Sequence, residues 1–141
     1  MKILMPVDGS ENSMRAAEYL ASLVKSDPSH QVTVLTVAYN VDSMMLYDSP
    51  VDRDKLKAES IKAHQLIVDK TEVVFNNASI PIKTEVVAGD PALAIAEYVE
   101  KNAIDKIIMG SRGLSNIKGI LLGSVTRKVL HLTNVPVTII K

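Results

Sequence analysis

Residues 106–113 read KIIMGSRG, a short apolar run that passes directly into a loop with two glycines. A run of this length, apolar on both alternating faces, is typical of a strand that is buried on both sides. Such strands belong to parallel sheets whose faces are covered by helices. The stretch therefore predicts an α/β fold, with the glycine loop at the carboxyl end of a central strand.

The same alternation of apolar strands and amphipathic helices extends from this stretch toward both termini. Predicted strands cover residues 3–7, 31–38, 82–86, 106–109 and 137–140, and predicted helices cover 11–26, 53–77, 91–101 and a segment from about 122. We expect Leu56, Ala63, Leu66, Ile67, Val73 and Val74 on the inner face of the second helix, and Val125, Val129 and Leu132 on that of the last. With no linker or repeat, residues 1–141 are expected to form a single domain.

The third strand indicates how the sheet is ordered. Lys83 and Glu85 alternate with apolar residues there, which favours an edge position. The predicted fold is an open five-stranded parallel sheet of order 3-2-1-4-5, Rossmann-like, with helices on both faces. In this order the chain reverses between strands one and four, and ligands bind outside the carboxyl ends of such strands. Asp8 and the segment from Gly110 lie at that point.

Charge and composition exclude several classes of function. The chain has 16 basic and 16 acidic residues and no net charge, so we expect no nucleic-acid partner. All the acids lie in residues 1–105, whereas 106–141 is basic, which suits a small anion. With no cysteine there is no thiolate metal site or cysteine nucleophile. No apolar run reaches membrane-spanning length and no signal-peptide pattern is present, so we expect a cytoplasmic protein.

The loop after the fourth strand has the features of a phosphate-binding loop. Gly110 and Gly113 allow backbone N–H groups to approach an anion, and Gly123 opens a helix whose free amides favour negative charge. Ser124 and Thr126 add hydroxyl groups, and the cations available are Arg112 and Arg127. The loop matches neither the Walker A pattern nor the dinucleotide fingerprint. Glycine content alone also fits a simple turn and helix cap.

The spacing Gly-x2-Gly-x9-Gly-Ser, filled by Gly110, Gly113, Gly123 and Ser124, resembles the ATP-binding motif of the universal stress protein family. The opening segment 3–10, the segments 107–113 and 122–126, and Val135-Pro136-Val137 also resemble that family. The resemblance covers the whole chain in matching order, which implies that residues 1–141 form a single nucleotide-binding domain of the universal stress type. It implies a universal stress protein that binds ATP or AMP and acts as a nucleotide-dependent stress-response regulator.

The resemblance also implies the role of each residue in the site. Asp8 would face the ribose or the metal-bound phosphates, and Val37 would contact the adenine through its backbone. The predicted binding residues are Pro6, Val7, Asp8, Val37, Met109, Gly110, Ser111, Arg112, Gly113, Gly123, Ser124, Val125 and Thr126. Asp8 is the one candidate for a metal contact, to Mg²⁺ through the phosphates, and a single carboxylate makes a thin site.

Two further expectations concern function and assembly. The alternative to a binding module is an enzyme, either a slow ATPase or a nucleotidyl transferase of the related α-hydrolase type. Those enzymes carry their phosphate loop after the first strand, which favours the binding module here. Strand 137–140 is an uncharged edge, so we expect a homodimer formed through it. The long loop 39–52, with its apolar residues 44–47, fits either a lid over the base or packing on the next helix.

Overall fold

The computed structural model describes residues 1–41, 52–114 and 121–141. Over these ranges five strands alternate with four helices, and all five strands share one sheet. The strands are β1 (Lys2–Pro6), β2 (Gln31–Ala38), β3 (Ile82–Ala88), β4 (Lys106–Gly110) and β5 (Val137–Ile140). The helices are α1 (Glu11–Ser26), α2 (Arg53–Asn77), α3 (Pro91–Asn102) and α4 (Ser124–Leu132). The predicted elements are thus confirmed, with ends displaced by one or two residues.

The strand order is β3-β2-β1-β4-β5, and every neighbouring pair is parallel, as predicted. β3 lies at one edge of the sheet. There the ammonium group of Lys83 lies 2.8 Å from the carboxylate of Glu85, and this hydrogen bond raises the pKa of Lys83. β5 lies at the other edge and carries no charged residue. The topological switch point is therefore between β1 and β4, in the middle of the sheet.

Pro6 ends β1 without disturbing the sheet. The backbone N–H of Val7 donates to the carbonyl of Leu35 at 2.8 Å, so the nitrogen one residue earlier faces β4 instead. On that side the paired register already ends at Leu4 and Ile107. The N–H that proline lacks is therefore not required by the ladder, and β1 and β4 separate beyond this point.

The helices begin at residues that suit their first turns. The side chains of Ser10, Asp52 and Asp90 accept backbone N–H bonds at the starts of α1, α2 and α3. Pro91 occupies the first helical position of α3, where its missing N–H costs nothing. α4 differs, because its cap, Gly123, makes no side-chain hydrogen bond. The amide groups of that first turn are left to other partners.

The core consists of two apolar layers, one on each face of the sheet. Met5 and Val34 belong to the layer that packs beneath α1 and α2. Leu35 and Val37 belong to the layer on the opposite face, under α3 and α4. Successive residues of β2 thus alternate between the two layers, as the period of a strand requires. This alternation also decides which side of the ligand site each residue faces.

The predicted inner faces of α2 and α4 are partly wrong. Leu66 and Val73 were expected inside α2 but are 54% and 53% exposed, and Ala63 is exposed as well, whereas Val68 and Phe75 are fully buried. α2 has apolar residues on several faces, so its periodicity does not select one. Leu132 of α4 is likewise exposed, since it lies at the last turn of that helix.

Within the described ranges, no helix combines the length and the apolar character needed to cross a bilayer.

Candidate functional site

A cavity of about 490 Å³ opens at the carboxyl ends of β1, β2 and β4, at the predicted switch point. Every residue of the predicted binding set lines it except Ser111. The lining members of that set are Pro6, Val7, Asp8, Val37, Met109, Gly110, Arg112, Gly113, Gly123, Ser124, Val125 and Thr126. Its volume lies within the range of small-molecule sites. The fold thus brings together segments that are about a hundred residues apart in the chain.

The turn after β1 positions the carboxylate of Asp8. Its Oδ1 accepts a hydrogen bond from the backbone N–H of Ser10 at 2.9 Å. Gly9 makes this turn with a φ of +79°, a conformation that favours glycine. Oδ2 of Asp8 faces Gly113 across the mouth of the cavity. The carboxylate is therefore fixed at one oxygen and directed toward the glycine loop at the other.

Ser111 connects the loop to the sheet and does not face the cavity. It is buried, its backbone N–H donates to the carbonyl of Ile140 at 2.7 Å, and its own carbonyl accepts from the N–H of Gly123 at 2.8 Å. The hydroxyl oxygen lies 3.4 Å from the Asn12 amide nitrogen. These bonds extend β4 by one residue and close the loop at its base. Ser111 is therefore placed as a support for the loop, in contrast to its predicted contact with phosphate.

The first turn of α4 lines the cavity, and among the described residues its amides have no hydrogen-bond acceptor. Gly123 uses its own N–H on Ser111 and its carbonyl on the N–H of Arg127. The amides of residues 124–126 have no carbonyl one turn earlier in the helix. Together with the helix dipole they form an electropositive surface. Thr126 contributes through its amide alone, because its hydroxyl donates to the Gly110 carbonyl at 3.1 Å.

The two predicted cations differ in position. Arg112 lines the cavity, whereas Arg127 does not, although both were candidates for charge compensation. Asp8 is the single carboxylate among the described residues that line the cavity. Within the described ranges, no group of three or more acidic, histidine or cysteine side chains could hold a metal ion. A metal at this site would therefore need most of its ligands from a bound molecule or from water.

The glycines of the motif serve different purposes. A Cβ at Gly110 would lie 2.9 Å from the backbone carbonyl carbon of Asn12, so this glycine allows β4 to approach α1. At Gly113 a Cβ would instead press on the carboxylate oxygen of Asp8, at the cavity mouth. Gly110 is thus required by packing within the fold. Gly113 keeps open the space between the Asp8 carboxylate and the loop.

The backbone of Val37 provides a hydrogen-bonding edge beyond the end of β1. Ala38 accepts from the N–H of Gly89 at 3.0 Å and so faces β3, whereas Leu35 faces β1. By alternation the N–H and carbonyl of Val37 face β1 as well. Among the described residues, the bond from Val7 to Leu35 is the last between these two strands. One donor and one acceptor therefore face the cavity side by side.

Seven of the residues that line the cavity are not in the predicted binding set. They are Ser13, Thr36, Tyr39, His64, Ile67, Pro91 and Leu114. We call Ser13, Thr36, His64 and Ile67 the helix side of the cavity, since α1, α2 and the β2 face beneath them supply it. We call Asp8, Arg112, Gly113, Ser124 and Val125 the loop side. The residues of the helix side share no sequence motif. They lie close together because α2 packs against the sheet. The predicted apolar lid, residues 44–47, lies outside the described residues.

Comparisons with known proteins identify the family and the relatives of this chain. Residues 1–141 match the sequence model of the Universal stress protein family. The chain is 31% identical to Universal stress protein MJ0531 of Methanocaldococcus jannaschii, over 99% of this chain and 81% of that protein. The solved structure of hypothetical protein MJ0577, from the same organism, has a TM-score of 0.80 at 31% identity and covers 99% of this chain and 94% of its own.

Two more distant solved structures contain nucleotides. One is a universal stress protein family protein from Arabidopsis thaliana with AMP bound, with a TM-score of 0.73 at 20% identity, over 100% of this chain and 91% of its own. The other is a universal stress protein in complex with cAMP, with a TM-score of 0.69 at 22% identity, over 100% of this chain and 96% of its own. At these identities the likeness shows the shared fold.

Proposed function

The chain belongs to the universal stress protein family, and we propose that it binds an adenine nucleotide, ATP or AMP, in the cavity at the β1/β4 switch point. The observation that carries this proposal is the convergence of Asp8, the glycine loop and the free amides of α4 on one cavity. The AMP and cAMP of the two distant structures support an adenine nucleotide as the class of ligand.

The phosphates are expected on the loop side. Three amides, at residues 124–126, and the positive end of the α4 dipole favour an anion there. Gly113 allows the backbone to come close, and Arg112 supplies a full positive charge beside it. Hydrogen bonds to charged groups contribute about 1.5–3 kcal/mol each. Several such bonds would make the phosphate contacts the largest contribution to the binding free energy of the nucleotide.

We expect the base beside Val37 and the ribose beside Asp8, on either side of the end of β1. The N–H and carbonyl of Val37 match the neighbouring acceptor and donor of an adenine edge. Met109 and Pro6 line the same cavity and provide apolar contact for the ring. The carboxylate of Asp8 suits ribose hydroxyl groups, which donate to it. A Mg²⁺ ion would be held mainly by the phosphates, with Asp8 as its one protein carboxylate.

We expect slow or absent turnover, so the protein would act as a nucleotide-dependent regulator in the stress response. Efficient phosphoryl transfer requires an oriented nucleophile and dense charge stabilisation. Asp8 is the one acid lining the cavity within the described ranges, and its Oδ1 is already bonded to a backbone N–H. Turnover faster than about 1 s⁻¹, a rate typical of kinases, would favour the enzymatic alternative.

Two measurements test the proposal on the unmodified protein. Mass spectrometry of the material released on denaturation should detect an adenine nucleotide that copurifies. Calorimetric titration should then give ATP and AMP greater affinity than adenosine, because adenosine lacks the groups that the loop side binds. With one or two charge-assisted bonds at stake, we expect ATP to exceed adenosine by about 100-fold. Equal affinities would contradict a phosphate site on the loop.

We also propose a homodimer formed through β5. The N–H groups of Ile107 and Ser111 donate to the carbonyls of Pro136 and Ile140, so these β5 positions face β4. By alternation the backbone groups of Val137 and Ile139 face outward. Unpaired backbone groups on an uncharged edge favour pairing with another strand. A two-fold axis would place β5 antiparallel to its copy.

A pair of proline variants tests this interface. Ile139→Pro removes an outward N–H from β5, and Val86→Pro removes the equivalent outward N–H from the charged edge strand β3. Light scattering at micromolar concentration should show a monomer for the first variant and a dimer for the second. Thermal unfolding would check that both remain folded. A wild-type monomer, or an Ile139→Pro dimer, would contradict the proposed interface.

A further inference from the structure

The hydroxyl of Thr36 is a buried polar group without a partner. Thr36 is 1% exposed, and its Oγ1 makes no hydrogen bond to any described residue. It is the one buried side-chain nitrogen or oxygen of this kind within the described ranges. A buried polar group left unpaired destabilises the fold, so such groups are rare and call for an explanation. Thr36 lines the cavity, which indicates that its partner is a bound molecule.

The neighbouring polar groups of the helix side have already donated their protons to the backbone. The hydroxyl of Ser13 donates to the carbonyl of Ser10 at 2.8 Å. Nδ1 of His64 lies 2.7 Å from the carbonyl of Ser60, which can only accept, so Nδ1 carries the proton. In the neutral ring Nε2 is then an acceptor. Ser13 and His64 thus offer lone pairs to the cavity, and Thr36 can add its own.

The helix side carries no carboxylate, lysine or arginine among its four members, and its polar groups are two hydroxyls and the His64 imidazole. It therefore suits an uncharged group that donates hydrogen bonds. In an adenine nucleotide the candidates are the amino group of the base and the ribose hydroxyls. Asp8, on the loop side, suits the ribose. Thr36 directly precedes Val37, whose backbone faces the place expected for the base edge.

Resting on the proposed function, we propose that Thr36 contacts the base and accepts a hydrogen bond from its amino group. A purine with an oxygen at that position would direct an acceptor at the lone pairs of Ser13 and His64, whose protons are already used, and the Thr36 hydroxyl would be its one donor among these three side chains. The helix side would then favour adenine over guanine or hypoxanthine. This contact adds to the base recognition expected from the backbone of Val37.

The test combines two variants with two ligands. Thr36→Val removes the hydroxyl and keeps the branched shape, and Thr36→Ser keeps the hydroxyl. The ligands are ATP and its analogue that lacks the amino group of the base, purine riboside triphosphate. For Thr36→Val we expect a three- to tenfold weaker affinity for ATP and a change of less than twofold for the analogue. Thr36→Ser should bind ATP within about twofold of the wild type.

Two results would overturn the inference while leaving the proposed function intact. The first is a Thr36→Val protein that binds ATP as tightly as the wild type does, and the second is an equal loss of affinity for ATP and for the analogue. Loss of equal size would mean that the hydroxyl supports some other part of the ligand or the fold. A wild-type protein that binds neither ligand would overturn the proposed function itself, and the wild-type titrations reveal this first.

Discussion

The two sides of the cavity are built in different ways. The loop side is formed mostly by one continuous segment around β4 and α4, and its polar groups are backbone amides, the Ser124 hydroxyl and the charged side chains of Arg112 and Asp8. The helix side takes Ser13, Thr36 and His64 from three elements that are distant in sequence, and its polar groups are two hydroxyls and an imidazole. Charged contacts contribute more free energy than neutral ones, so we expect affinity from the loop side and base selectivity from the helix side.

The largest effect should follow from filling the space at Gly113. In Gly113→Val the new Cβ would press on the Asp8 carboxylate, whose other oxygen is held by the Ser10 amide, and the branched methyls would enter the space for phosphate. We expect ATP affinity to fall 100-fold or more, equivalent to about 3 kcal/mol. Calorimetry measures this, with the thermal midpoint as the control for folding. Unchanged affinity in a folded variant would exclude the loop side as the phosphate site.

A smaller effect should distinguish the contribution of the Ser124 amide to ATP affinity from that of the Ser124 hydroxyl. Ser124 is the first residue of α4, a position where proline fits, as Pro91 does in α3. Ser124→Pro removes both groups, and Ser124→Ala removes the hydroxyl alone. We expect the proline variant to bind ATP about tenfold more weakly than the alanine variant, which is the loss of one charge-assisted bond. Equal affinities would show that the amide does not contact the phosphates.

The smallest effect concerns the stability of the free protein. Because the Thr36 hydroxyl is buried and unpaired, Thr36→Val should raise the free energy of unfolding by about 1 kcal/mol without nucleotide. Urea denaturation would measure this change, with Thr36→Ser as the matched variant that retains the hydroxyl. A destabilised Thr36→Val protein would indicate that the hydroxyl has a partner within the fold. A gain in stability with a loss of ATP affinity would mark the residue as functional.

The fold could be predicted because its signals are local. The Lys83 and Glu85 alternation indicated an edge strand, and the apolar run of β4 indicated a buried one, which together gave the sheet order. The inner face of α2 could not be predicted in the same way. Leu66 and Phe75 are both large and apolar, and only the packing of α2 against β2 buries one and exposes the other.

The site shows the same division. The loop side follows from glycine spacing in one segment, although Ser111 turned out to support the loop from beneath. The strand period could have indicated this, because Ser111 continues the pairing of β4 with β5. The helix side had no such signal, since Thr36 and His64 have ordinary sequence surroundings. Their relation depends on how α2 lies on the sheet, which one sequence does not specify.

Amide chemical-shift mapping by NMR tests the central claim most directly, because it observes the groups that are assigned to the ligand. On titration with ATP, the largest shifts should occur at residues 124–126, Gly113 and Val37. Titration with adenosine should retain the shift at Val37 and lose those at residues 124–126, where the phosphates are expected. Two results would contradict the account. One is that ATP leaves the amide chemical shifts of the first α4 turn unchanged, and the other is that the shift changes cluster away from the β1/β4 switch point.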